Sequence, residues 1–472
     1  MSGTAATARR ARLAAAAVVG AVSAAGLALL FEQVRHPFPF PNDGILHFGL
    51  IRSLASAPAH GQSLLDPWVR TWCSGFPVFH YYQSLPHFLV LGLWKLLAES
   101  VSLVRAFKIV EWLAIGTIPV PFYLAMRRLG ADRVASAAAA ALAPLVKTDY
   151  LHGHDLESYV WQGLGQYAQA VGGWLFPLAV AWLATALRRG RSWGPASILL
   201  SATFLAHLAL GTMAAMAGGV IALLAPRDLP RRAVRLAVIG AVTGAASAWL
   251  LLPIVKDFAW YNVSTLVPSW KYHSFGAEVV LGWLARGELF DFARTVSIGG
   301  TRIGPLPVLT LLLGGGVVLA AARVRRDPER TLLALFAFFL LLFFGRPTWG
   351  DLLRHIPLGS GFHYSRAILG LHVFGVMLAG VFAGFVIRRL AAAGRAGPAL
   401  AAAAALVLFA PPALERAQYL LWNAALVREE AASYARDGAT LERILDRAAE
   451  DRLGRVYAGS GGLGTEWGGT FL

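Results

Sequence analysis

Long apolar runs recur from one end of this chain to the other, and most are closed by a short cluster of arginines. Runs of about 15 to 22 residues approach the roughly 20 that a helix needs to cross the hydrocarbon core of a bilayer. That pattern leaves one fold class, an all-α polytopic membrane protein. Only 14% of the 472 residues are charged, against the roughly 25% usual in soluble domains.

The formal net charge is +16. The positive side chains sit at helix junctions, where the positive-inside rule puts them on the cytoplasmic side. Topology therefore accounts for the charge, and no nucleic-acid partner is expected. Cys73 is the single cysteine, so no intramolecular disulfide can form. The first apolar run, about Ala14 to Phe31, is followed by no A-x-A-like cleavage site and is expected to stay as an anchor.

Basic clusters set the predicted path. Arg9, Arg10 and Arg12 hold the amino end inside. A crossing from about Leu103 to Met126 ends inside at "RRLGADR", so 32–99 forms a large first loop outside. Within it "LPHFLVLGLWKLL" is too short to span and reads as a juxtamembrane or re-entrant helix. Alternation then gives about 11 crossings. The carboxyl end lies outside, with one tight outer turn at His207 and a last helix from about Ala399 to Phe409. Residues 1–411 are the transmembrane domain, and 412–472 a small or truncated outer region with an amphipathic helix and a glycine-rich end.

The residues able to do chemistry fall on the outer side. The first loop holds Asp43, His47, Asp66, Trp68, Trp72, His80, Tyr81, Tyr82 and Gln83. The next holds His152, His154, Asp155 and Glu157. Later loops add Lys256, Lys271, Arg302, Arg354, His363 and Arg366. Inner loops carry little besides arginine and proline, and neither GxxxxGK[ST] nor a Rossmann fingerprint lies there.

In "NDGILHFGLIRSL" a helix begins at Asn42 or Asp43. Its amino end favours an ionised carboxylate, and such a group can take a proton from a hydroxyl. Either residue can instead serve as the N-cap, and the pattern does not choose. The rings of Trp68, Trp72, Tyr81 and Tyr82 suit stacking on a sugar and equally suit a membrane interface. His80, Gln83, His154, Asp155 and Glu157 are candidate substrate contacts. "HGHDLE" has metal-ligand residue types but no zinc spacing such as HExxH. No metal or other cofactor is expected, and a divalent cation is left open. Arg302, Arg354 and Arg366 have the forked guanidinium that matches phosphate oxygens.

The order "DGILHFGLIRSLA", "DPWVRTWCSGFPVFHYYQSLPHFL" and "FYLAMRRLGADRVAS" resembles a bacterial family of large membrane proteins labelled 6-pyruvoyl-tetrahydropterin synthase-related, which in turn are similar to GT-C glycosyltransferases. The resemblance implies a GT-C-like bundle in the plasma membrane that moves a sugar from a polyprenyl-phosphate carrier to a cell-envelope glycan or glycolipid. It puts the catalytic acid of the first outer loop at Asp43, with His47 orienting it or the sugar. Asn42 stands where a second acid is usual. The pterin label implies no pterin chemistry, because the histidine arrangement of those zinc enzymes is missing. Two other classes stay open. One is a transporter or flippase for lipid-linked substrates, for which Lys108 and Glu111 are the main membrane charges. The other is a non-catalytic scaffold of envelope assembly.

Overall fold

The computed structural model describes residues 2–38, 42–69, 75–260, 267–298, 301–355 and 361–450. Trp72 and the side chain of Arg354 lie outside the described residues, as does the glycine-rich end expected after 450.

The chain enters on α1 (Ser2–Leu29) and the short α2 (Phe31–Arg35). The first loop folds as α3 (Asp43–Ser56), a hairpin of β1 (Trp68–Val69) and β2 (Phe76–Pro77), then α4 (Val78–Tyr81) and α5 (Leu85–Leu96). Helix α5 covers the segment predicted to be too short to span.

Next come α6 (Leu103–Gly116) and α7 (Pro119–Leu129), which meet at a 45° bend. Pro119 and Pro121 explain it, since proline cannot donate to the preceding turn. The buried α8 (Arg133–Leu142) is capped by Asp132, which accepts from the Val134 and Ala135 amides. Helix α9 (Tyr167–Arg189) crosses back. Then α10 (Trp193–Ala206) and α11 (Leu208–Leu223) break at one residue, His207, whose ring accepts from the Leu210 amide. This is the predicted tight turn.

Helices α12 (Leu229–Ala246) and α13 (Ala248–Lys256) lead to the loop expected at 256–305. It is built from α14 (Ser269–His273), α15 (Ala277–Arg286), α16 (Glu288–Asp291) and an exposed hairpin of β3 (Val296–Ile298) and β4 (Thr301–Ile303). The chain closes with α17 (Val308–Ala322), α18 (Asp327–Phe344), α19 (Arg346–Trp349), α20 (Ile368–Ala391) and α21 (Gly397–Glu450). Helix α20 is buried on nearly every face from Ile368 to Gly384 and forms the centre of the core, as expected for a helix apolar all round.

Loops expected to share a side meet at the same end of the bundle. Loops expected outside touch one another: Tyr81 Oη donates to Asp257 at 2.8 Å, the Lys147 amide to Phe290 O at 3.0 Å, and Ser365 Oγ to Lys271 O at 2.8 Å. Junctions expected inside also meet, as Arg128 with Ser192 and Arg388 with Asp132.

Against the 11 crossings expected, four helices among the described residues are long and apolar enough to cross, or up to seven if each of three bent pairs is one span. Segments such as Arg133–Leu145 and Trp193–Ala206 are apolar but shorter than the roughly 20 residues a crossing takes. The last helix also departs from expectation. It does not stop near Phe409 but continues through Pro411 and Pro412, so the boundary drawn after 411 falls inside it. At about 1.5 Å per residue its 54 residues far exceed the roughly 30 Å hydrocarbon core. Buried charges hold it beyond the prolines. Glu415 bonds Lys147 and Arg294, both at 3.0 Å, and Arg416 pairs with Glu157.

Candidate active site

The start of α3 decides what Asp43 is free to do. Asn42 is the N-cap: its extended backbone precedes the helix, and its Oδ1 accepts the Gly44 N–H at 2.9 Å. Its Nδ2 donates to the Trp161 carbonyl at 3.1 Å. Only an amide can do both, since an aspartate there would have no hydrogen to donate. The facing backbone is fitted to this side chain. Gly165 has φ +62°, and a Cβ on it would lie 2.1 Å from Asn42 Oδ1.

Asp43 is the first helical residue, and its N–H donates to Leu164 O at 3.3 Å. Among the described residues its carboxylate accepts no hydrogen bond. The side chain is open to solvent, yet protein lies around it on several sides. Burial raises its carboxyl pKa, and the charges of Arg366 and Lys271 partly offset that rise. A carboxylate with a raised pKa is the better base.

The two cations come from distant segments. Arg366 lies in the turn before α20. Its guanidinium donates to Gln166 Oε1 at 3.3 Å and to Gln169 Oε1. Gln169 is held by the carbonyls of His152 and Gly153, at 3.2 and 3.0 Å. Lys271 lies in α14, beside Trp270. Neither Arg366 nor Lys271 is in an ion pair among the described residues. Their field reaches the surrounding groups. His363 is pushed down to about 4 by burial and then by Arg366. His152 is pushed down to about 3 by burial, then Arg366 and Lys271. Lys271 is lowered by burial and by Arg366. Tyr82 closes the group: burial and then the Asp43 charge raise its phenol far above the usual range.

Several expected site residues lie elsewhere. His47 shares no contact with the Asp43 carboxylate. It is 2% exposed, its Nδ1 is 3.1 Å from His87 Nε2, and its ring packs on Tyr167. The buried stripe of α3 runs through Gly44, His47, Leu50, Ile51 and Leu54, and Asp43, at the first turn, lies outside it. His154, Asp155 and Glu157 are 1 to 3% exposed and serve the loop itself. His154 stacks on Phe122, Asp155 accepts from Thr148 and Ser158, and Glu157 pairs with Arg416. Trp68 and His80 belong to the hairpin segment, with Trp68 against Gly75 and His80 3.6 Å from Asp66. Tyr81 bonds Asp257, and Gln83 is half-buried beside them. Arg302 stands on the exposed β3–β4 hairpin, which meets α21 through Ser297 and Gln418 rather than facing Asp43.

Lys271, His363, Gln166 and Gln169 are the contributors that sequence reasoning gave no role. Their one signal is polar character in outer loops. Among the described residues, no group of three or more His, Cys, Asp or Glu side chains is placed to hold a metal ion.

The framework around this group is shared with solved proteins. The archaeal oligosaccharyltransferase AglB from Archaeoglobus fulgidus, in complex with an inhibitory peptide and a dolichol-phosphate, matches 87% of this chain with TM-score 0.55 at 15% identity. Over most of its length the chain shares the fold of that oligosaccharyltransferase. A second structure of that enzyme, tethered to an acceptor peptide with the NVT sequon, matches 86% at TM-score 0.54 and 14% identity. The chain spans 56% and 55% of the lengths of these two structures. A weaker likeness, TM-score 0.48 at 14% identity, is to ArnT from Cupriavidus metallidurans bound to undecaprenyl phosphate, over 90% of this chain and 79% of that one. No family model and no curated protein matches the sequence, so the narrower pterin-synthase-related label has only the resemblance behind it.

Proposed function

We propose that this protein is a membrane glycosyltransferase that moves a sugar from a polyprenyl-phosphate carrier to a cell-envelope glycan or glycolipid on the outer face of the plasma membrane. One observation carries the proposal. A carboxylate released from capping, Asp43, lies in the field of two cations, Arg366 and Lys271, neither of which is in an ion pair among the described residues. A base that shares its surroundings with cations is what phosphate-ester displacement needs.

In the proposed step the acceptor hydroxyl gives its proton to Asp43. Its oxygen bonds to the sugar C1 from the face opposite the phosphate. The C1–O bond to phosphate breaks, and its electron pair stays on the polyprenyl phosphate, inverting the sugar. Arg366 and Lys271 stabilise the charge that gathers there. The lipid tail has a place to lie. An apolar cavity of about 340 Å³ between α5, α6 and α9 is lined by Leu85, Leu89, Val110, Val171 and Trp174. Leu85 in its wall adjoins Pro86, whose carbonyl accepts Tyr167 Oη at 2.6 Å. The dolichol-phosphate held by the oligosaccharyltransferase of like fold is in keeping with a lipid carrier.

The proposed topology is amino end inside and carboxyl end outside. Transport is the weaker reading. Of its two candidate charges, Lys108 is fixed to the His36 carbonyl at 2.9 Å, and both are buried.

The test is transfer in proteoliposomes of a labelled sugar from a synthetic polyprenyl-phosphate donor, beside a matched nucleotide sugar. Transfer from the lipid donor alone supports the proposal. Transfer from the nucleotide sugar, or from neither across a donor panel, contradicts it.

A further inference from the structure

Two amides are buried together well away from any sequence motif. Gln33 on α2 is 2% exposed, and Asn423 on α21 is fully buried. A buried polar group left unpaired costs about 1–3 kcal/mol; Gln33 Nε2 has no partner among the described residues, while the other three polar atoms of the pair bond each other and one loop. Asn423 Nδ2 donates to Gln33 Oε1 at 3.2 Å. Asn423 Oδ1 accepts the Gln162 N–H at 2.9 Å, and Gln33 Oε1 accepts the Trp161 N–H at 2.7 Å.

From Trp161 the bonds run on to the base. Its carbonyl receives Asn42 Nδ2, and Asn42 Oδ1 receives the Gly44 amide. Three residues further along the same loop, the Leu164 carbonyl receives the Asp43 amide. Each link is directional, and the amide orientations follow from the backbone groups they meet. The ion pairs of Glu415 and Arg416 already fix α21 to the bundle. The amide pair acts two turns beyond them, on the residues that seat α3.

We propose that Gln33 and Asn423 are positioning residues for Asp43: together they clamp the 161–164 backbone, which sets where α3 begins and so where the carboxylate stands. The kinetic part of this proposal rests on the transferase reading; the structural part does not. A base displaced by about 1 Å loses on the order of 100-fold in rate at worst, so a partial loosening should cost less.

The test uses full-length protein in lipid nanodiscs. Asn423→Leu is compared with wild type by amide hydrogen exchange, with Gln33→Met as the second variant should the first fail to fold. Exchange at 42–47 and 161–164 is expected to quicken about tenfold while α20 is unchanged. With the polyprenyl-phosphate donor, kcat is expected to fall about tenfold and the donor KM to stay within about twofold. Unchanged exchange at 42–47, or equal quickening in α20, overturns the proposal. So does a raised donor KM with kcat intact. If wild type transfers no sugar, the transferase reading fails, and the exchange result still decides whether the amide pair seats α3.

Discussion

Asn42, not Asp43, caps α3: its Oδ1 takes the Gly44 N–H at 2.9 Å and leaves the neighbouring carboxylate free of that duty. The sequence offers two cap candidates side by side, and a cap is worth about 1 kcal/mol whichever serves. The structure separates them by the second bond of Asn42, to the Trp161 carbonyl, which an aspartate could not make. Asn42 is therefore a fitted part of this loop, and the acid beside it feels the charges of Arg366 and Lys271.

The pH dependence of turnover should report Lys271. Its positive charge favours the ionised form of Asp43, against burial that raises the carboxyl above its ordinary value. Removing that charge in Lys271→Met leaves burial less opposed, so the Asp43 pKa rises further. The acid limb of the kcat/KM profile should then move to higher pH. A profile that does not move separates Lys271 from Asp43.

Arg366 should answer to its shape as well as its charge. Arg366→Ala is expected to raise the donor KM about tenfold or more, and Arg366→Lys to recover only part, because a point charge replaces a fork. Both variants release the Gln166 and Gln169 carbonyls, so thermal unfolding of each should be measured alongside. Wild-type KM in Arg366→Ala removes it from the site.

Asp155 gives a prediction about stability. Burial and then the nearby Glu157 push its carboxyl up to about 7, although Thr148 and Ser158 bond it. A carboxyl whose folded pKa is raised favours folding fully below its unfolded value, about 3.9, and loses that contribution as pH rises through about 7. Asp155→Asn should keep the side-chain shape without the titration. Wild type should therefore lose stability relative to the variant between about pH 4 and 7, with the gap levelling off above that. Parallel unfolding curves across that range would show that Asp155 does not titrate there. The buried histidines act in the opposite sense. His47, held near 4, and His152, near 3, stabilise above the unfolded histidine pKa and lose that as pH falls, so the comparison must be between these two proteins rather than on wild type alone.

Much of the architecture was legible in the sequence because bilayer thickness and arginine clusters constrain it strongly. The break at His207, the short α5 and the gathering of outer loops on one face all follow from that. The sequence also names Asp43 as a candidate base and Arg366 as a candidate phosphate contact. Lys271, Gln166 and Gln169 have no assigned role in the sequence reading, since they lie about 120 to 230 residues from Asp43 in the chain and the glutamines reach it only through Arg366. His154, Asp155 and Glu157 misled for a related reason. Polar residues in a loop suggest exposure, but this loop is buried between α21 and the core and satisfies them internally. Helix α21 outran its predicted end because partners at Glu415 and Arg416 outweigh two prolines, and no local pattern shows those partners.

Asp43→Asn tests the central claim most directly. The substitution keeps the size of the side chain, and the cap is untouched because Asn42 supplies it. An amide cannot accept a proton at neutral pH. Expression, unfolding temperature and binding of polyprenyl phosphate should stay near wild type while kcat in the lipid-donor assay falls by roughly 100-fold or more, the scale of general-base catalysis. Wild-type turnover in Asp43→Asn, with the protein folded and the donor bound, would contradict the account.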